Sequence, residues 1–284
     1  MSLRIRHAPG EPSLLLAEAS GDAPPLVLLH GVTRMHGDWA GVLDGLRASS
    51  RVVAIDQRGH GGSGRSGRYL VVDYVCDAMR IVREEIGEPV VILGHSLGAM
   101  VAAGVAAALP ALVRGVVLED PPFHAMGERI AGSAWAAQFA GMQAAARSGG
   151  TVGELAAALA DISLPRPGGG RIRLGTIRDA AALEWSAACL ARLDPEVLTP
   201  VVAGRWLDGY DPVAIARQIR CPCVLLQADP AAGGALADDE AAAFVAAIAG
   251  CEVERFPGSG HQLHWQHPDR IVAAVERLRK QAAA

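Results

Sequence analysis

The sequence predicts an α/β fold: a mostly parallel central sheet of about eight strands with helices on both faces and an inserted helical cap. Three observations predict it. Short aliphatic runs alternate with stretches rich in helix formers along most of the 284 residues. The run Val90-Val91-Ile92-Leu93 is apolar without alternation, as a strand buried on both faces would be, and it passes straight into the alanine-rich stretch Ala99–Leu109, which stops at Pro110. From Pro121 to Pro212 the alternation breaks: this stretch is rich in alanine and holds no convincing strand.

In chain order, Ser13–Ala17 and Leu26–His30 come first, without a helix between them, and the first strands are expected to pair antiparallel at one edge. Arg51–Ile55 is followed by a helical stretch, Tyr69–Ile86. Next come Val90–Leu93, the helix Ala99–Leu109 and the run Gly115–Glu119. The interruption then brings Trp135, Trp185, Trp206 and Tyr210 and a Pro/Gly-rich bend at Pro165–Gly170, and is read as a cap over a site. The rhythm resumes with Cys223–Gln227, Asp239–Ala249, Glu252–Phe256 and Pro268–Gln281. Residues 1–120 and 213–284 are therefore read as the core and 121–212 as the helical cap.

Composition bounds the function. With 51% hydrophobic and 20% charged residues the chain can bury a core and is not disordered. A net charge of −4 with no basic block argues against nucleic acid as a partner. The five cysteines are scattered and odd in number, and Cys221-Pro222-Cys223 lacks the spacing of a redox or zinc pair, so they read as reduced core thiols. No segment approaches the roughly 18–20 apolar residues that span a bilayer. The first residues hold only a short apolar stretch, so the expectation is a cytoplasmic protein without a membrane partner. No cofactor is expected: there is no phosphate loop, metal triad or dinucleotide fingerprint, and Gly61-Gly62-Ser63-Gly64 lacks the strand-to-helix context that phosphate binding needs.

Chemistry concentrates in a few short stretches. Gly94-His95-Ser96-Leu97-Gly98 joins a buried strand to a helix by a sharp turn. The two glycines remove side chains that would clash, and the turn pushes Ser96 outward, as in a nucleophile elbow. His30-Gly31 follows an early strand, Asp56-Gln57-Arg58-Gly59-His60-Gly61-Gly62-Ser63 follows another, and Gly258-Ser259-Gly260-His261 lies near the C-terminus. Taken in this order, the four features resemble the α/β-hydrolase superfamily, in its serine-nucleophile branch with an inserted helical cap, and the resemblance covers the core on both sides of the insertion.

A serine hydroxyl needs a base to take its proton, and histidine suits the task. Of the nine histidines His261 is the best placed, on a flexible turn beyond the C-terminal end of a strand. His264 and His267 are nearby rivals, the latter directly before Pro268. The oxyanion formed by attack on an acyl carbon needs donors, expected from the Leu97 and Val32 backbone N–H groups. The carboxylate that orients the histidine has two candidates. Asp229 ends the strand that most often carries the acid in the family. However, the usual place lies slightly later, within Ala231–Ala235, which holds no carboxylate. Asp120 ends the preceding core strand, 24 residues after Ser96, a spacing found in some branches of the family. Asp120 is preferred over Asp229, with Glu119 third, and either aspartate could instead cap the segment that follows it.

The resemblance implies acyl transfer to water, because dehalogenases and epoxide hydrolases of this fold carry an aspartate at the elbow. The expected activity is cleavage of a small to medium hydrophobic carboxylic ester or lactone through an acyl-enzyme. The alternatives are a carbon–carbon bond hydrolase or perhydrolase of the same fold, and a ligand-binding protein that retains a hydrolase site. The chain has no asparagine, which counts against the carbon–carbon reading. The expected pocket residues are His30, His95, Phe123, His124, Trp135, Trp185 and Trp206, a mostly apolar set.

Overall fold

Alternate side chains of the central strands enter two separate cores, one on each face of the sheet. In β3 (Pro25–Leu29), Val27 and Leu29 join the larger core while Leu26 and Leu28 join the smaller; in β5 (Val90–His95), Val90 and Ile92 divide from Val91 and Leu93 in the same way. A strand whose two faces are both covered reads as a continuous aliphatic run, as these do. The computed structural model describes residues 3–283 apart from 20, 22 and 167. The bend foreseen at Pro165–Gly170 thus lies partly outside the described residues.

The sheet has eight strands in the order β1-β2-β4-β3-β5-β6-β9-β10, where β1 is Arg4–Ala8, β2 Leu14–Glu18, β4 Arg51–Ile55, β6 Val113–Glu119, β9 Cys223–Ala228 and β10 Glu252–Phe256. The pairs from β4 through β10 are parallel. The antiparallel edge is made by β1 on β2 and β2 on β4, while β3 sits inside the sheet between β4 and β5. The sequence reading missed β1 because an edge strand with a single buried residue, Ala8, carries no aliphatic run.

Helix α1 (Ala40–Arg47) and the C-terminal helix Pro268–Ala283 pack with the smaller core; α2 (Val71–Arg80, extended by a π-type turn Ile81–Ile86) and α3 (Leu97–Ala108) pack with the larger. Between β6 and β9 the chain forms α4 (Ala134–Ser148), α5 (Val152–Asp161), α6 (Leu174–Ile177), α7 (Ala180–Leu190), α8 (Thr199–Val202) and α9 (Pro212–Ala216). This connection also holds a strand pair, β7 (Ser163–Pro165) on β8 (Arg171–Arg173), where the sequence reading had found no strand. Three-residue strands flanking a Pro/Gly turn are too short for periodicity to register. Among the described residues, no helix is long and apolar enough to cross a membrane.

Candidate active site

The elbow after β5 follows from backbone crowding. Ser96 has φ 53° and ψ −115°, a conformation L-residues rarely adopt. A Cβ on Gly94 would overlap the Gly98 carbonyl, and one on Gly98 would overlap the Leu29 carbonyl of β3, so the turn closes only with glycine at both places. The Ser96 N–H donates to the Glu119 carbonyl at 2.8 Å, which ties the elbow to the end of β6. Ser96 is 4% exposed and borders a cleft together with Val32, His95 and His261.

His261 arrives on the loop after β10, and its Nδ1 lies 2.6 Å from Asp120 Oδ2. Asp120, with φ 44°, is fully buried at the end of β6. Its carboxylate also accepts from the backbone N–H groups of Ala228 at 3.2 Å, Ala235 at 2.7 Å and Leu236 at 3.3 Å. Such a cage fixes the carboxylate in direction. Asp229 is elsewhere: it accepts from the Ala231 and Gly258 N–H groups, both at 2.8 Å, and so caps the turn that follows it. The Gly258 bond, then the Ala231 bond, pull its pKa below the ordinary range.

Among the described residues, the Val32 and Leu97 N–H groups have no acceptor within the chain. Leu97 opens α3, where a first-turn N–H has no helical partner. The turn carrying Val32 is braced by two buried histidines. The Gln57 N–H donates to His30 Nε2 at 3.0 Å, and the Thr33 N–H donates to His60 Nε2 at 3.2 Å. Each ring therefore carries its proton on Nδ1, facing the carbonyls of Gly31 and Arg58. Burial lowers both pKa values, that of His60 to about 3, so both rings stay neutral.

A second group of titratable side chains lies behind the first. His264 Nδ1 is 2.7 Å from Glu119 Oε1 and its Nε2 is 3.2 Å from Asp38 Oδ2, all three being buried. Both ring nitrogens facing carboxylates requires an imidazolium. Burial works against that charge, but Glu119 and Asp38 raise the His264 pKa to about 9. Burial likewise opposes ionised Asp38, yet the charge of Arg34 and the bonds from His264 and Trp185 hold it at about 2. His95 Nε2 lies 3.1 Å from the His261 carbonyl, and burial followed by the charges of His261 and His264 keeps its ring neutral. Asp38, His95 and His264 are close enough to suggest a metal site. An imidazolium bonded on both nitrogens has no lone pair to give, so this donor set does not fit one.

The expected pocket residues separate. His95, Trp135 and Trp206 border the cleft, and the Trp135 ring meets His261 edge-on at 5.4 Å. His30 is buried behind the turn that carries Val32. Phe123 stacks on Phe244 at 4.5 Å, His124 is exposed on another groove, and Trp185 Nε1 donates to Asp38 Oδ1 at 2.7 Å. Arg34, Asp38, Gln138 and Gln262 were missed from sequence, since none belongs to a motif; Arg34 and the two glutamines border the cleft.

Residues 26–274 match the model of the Alpha/beta hydrolase family. A 2-(acetamidomethylene)succinate hydrolase of Mesorhizobium japonicum is 34% identical over 101 residues, 35% of this chain and 36% of that protein. A pimeloyl-[acyl-carrier protein] methyl ester esterase of Nitrosomonas europaea is 32% identical over 101 residues, 36% of this chain and 38% of that protein. The aligned stretch thus spans little more than a third of the length of either curated relative. The crystal structure of the enol-lactonase from Burkholderia xenovorans LB400 superposes with a TM-score of 0.74 at 18% identity, over 97% of this chain and 100% of the other, a likeness of fold. Matched along most of its length, the chain belongs to the alpha/beta hydrolase family.

Proposed function

We propose that this protein is a serine hydrolase that cleaves a small to medium hydrophobic carboxylic ester or lactone through an acyl-enzyme. The observation that carries the reading is the 2.6 Å contact of His261 Nδ1 with the caged carboxylate of Asp120, in the cleft that Ser96 also borders. With the Nδ1 proton held by Asp120, His261 Nε2 is the free base. It takes the proton from Ser96 Oγ as that oxygen attacks the acyl carbon. The Val32 and Leu97 N–H groups receive the developing oxyanion. His261 then protonates the leaving alcohol oxygen, and a water activated by the same nitrogen releases the acid and restores Ser96.

Met126, Trp135, Phe139, Met142 and Trp206 give the cleft apolar walls, which supports a hydrophobic substrate, and in this reading the β6–β9 connection serves as the cap that supplies them. Similarity to a protein named as a methyl ester esterase supports ester cleavage. The test is hydrolysis of a short p-nitrophenyl ester series by the wild type and Ser96→Ala. A loss of several orders of magnitude, about a millionfold where the three residues act as one unit, is expected. An unchanged rate in the variant, or no turnover by the wild type, overturns the reading.

A further inference from the structure

One charged group in the cleft has no task in acyl transfer. Arg34, two residues beyond Val32, is 5% exposed and borders the cleft with Ser96 and His261. Its guanidinium lies 4.9 Å over the Trp265 ring, and Nη1 donates to Ser186 Oγ at 3.0 Å. The Cys189 thiol lies beside it. Among the described residues no carboxylate pairs with it within 4.0 Å; Asp38, whose ionised form the charge of Arg34 favours, has Oδ1 bonded to Trp185 and Oδ2 to His264. A guanidinium offers five N–H donors, more than Ser186 and Cys189 take up.

A second arginine repeats the pattern. Arg178, just before α7, has no side-chain hydrogen bond or ion pair among the described residues, and its pKa is lowered to about 10, by burial first and then by the charge of Arg34, against the opposing charge of Asp179. Arg34 thus meets a second like charge, while the remaining polar lining of its cleft, Thr33, Gln138 and Gln262, is neutral. An anion relieves both the open donors and the repulsion, and a carboxylate matches the planar fork of Arg34 in two parallel bonds.

We infer that the substrate carries a carboxylate that Arg34 binds, so that the ester or lactone cleaved is the monoanionic derivative of a dicarboxylic acid with a short apolar chain. Arg178 adds to the field that draws the anion in. The inference rests on the cleft being the site of acyl transfer, and it adds a requirement that a purely apolar pocket would not impose.

Binding to Ser96→Ala, which cannot form the acyl-enzyme, tests it without turnover. Titration calorimetry with monomethyl glutarate and with neutral dimethyl glutarate is expected to give the anion an advantage of about 10- to 100-fold. Adding Arg34→Met is expected to remove that advantage. Arg34→Lys, which keeps the charge but loses the fork, is expected to remove part of it, and it replaces the methionine variant as the deciding measurement if the latter does not fold. Equal binding of the two ligands, or an advantage unchanged in the folded variant, overturns the inference. Ester turnover by the Ser96 protein is a separate measurement: a protein that prefers the anion but hydrolyses nothing refutes only the hydrolase reading, and an active hydrolase indifferent to the anion refutes only this one.

Discussion

Gly94 and Gly98 hold the elbow because the nearest obstacles are backbone carbonyls, which cannot rotate away as a side-chain end can. Gly98→Ala must push β3 and α3 apart, and is expected to lower the yield of folded protein or abolish it, as read by circular dichroism. The two aspartates have different work, and one comparison separates them. Asp120 meets His261 through Oδ2 and in the proposed mechanism orients it, while Asp229 closes a turn with two backbone bonds. Asp120→Asn keeps the shape but lets the ring take the wrong tautomer, and is expected to lower kcat by about 10,000-fold. Asp229→Asn is expected to change kcat by no more than a few-fold. Steady-state kinetics on one p-nitrophenyl ester decides between them, and the reverse ranking would transfer the orienting role to Asp229.

At the scale of elements, helix α7 is tied to the turn beside the elbow by Trp185 on Asp38 and by Ser186 on Arg34. Trp185→Phe removes the hydrogen bond to a charged acceptor together with the indole edge that lies against Gly37. A loss of at least about 1.5–3 kcal/mol is expected in chemical denaturation, and no loss would mean that neither the bond nor the ring edge holds α7 in place. This tie was invisible in the sequence, since it joins residues 147 positions apart and follows no period. What the sequence does carry is local. Aliphatic runs mark the inner strands, and the glycine spacing marks the elbow. The edge strand β1 and the short pair β7–β8 leave no such mark, because most of their side chains meet solvent. The partner of His261 lay between legible and hidden: the sequence puts carboxylates at the ends of β6 and β9. Only the fold shows that Ala228, Ala235 and Leu236 aim their N–H groups at Asp120.

Across the whole molecule, the buried imidazolium of His264 joins the end of β6, through Glu119, to the turn after β3, through Asp38, and thence to the β6–β9 connection. Its pKa, raised from 6.5 to about 9, makes it a pH-dependent support. A raised folded-state value stabilises fully below about pH 6.5, and the contribution drains away as pH climbs through about 9. Asp38, lowered from 3.8 to about 2, has the opposite sign: its share is present above about pH 4 and is lost as pH falls through about 2. The neutral histidines do not confuse the alkaline window. His30, His60 and His95 all have lowered values, so their linkage acts only as pH falls below about 6.5. The melting temperature is therefore expected to decline between pH 6.5 and 9, and His264 is the histidine responsible. His264→Gln leaves two buried carboxylates without their shared cation and is expected to cost about 3–5 kcal/mol at pH 6.5. The penalty should shrink toward pH 9, where the wild type has lost the same charge, and the decline over this window should flatten in the variant. If the variant does not fold, the His264 ring signals of the wild type, followed by NMR, carry the same test: titration near 9 supports the buried imidazolium, and titration near 6.5 rejects it.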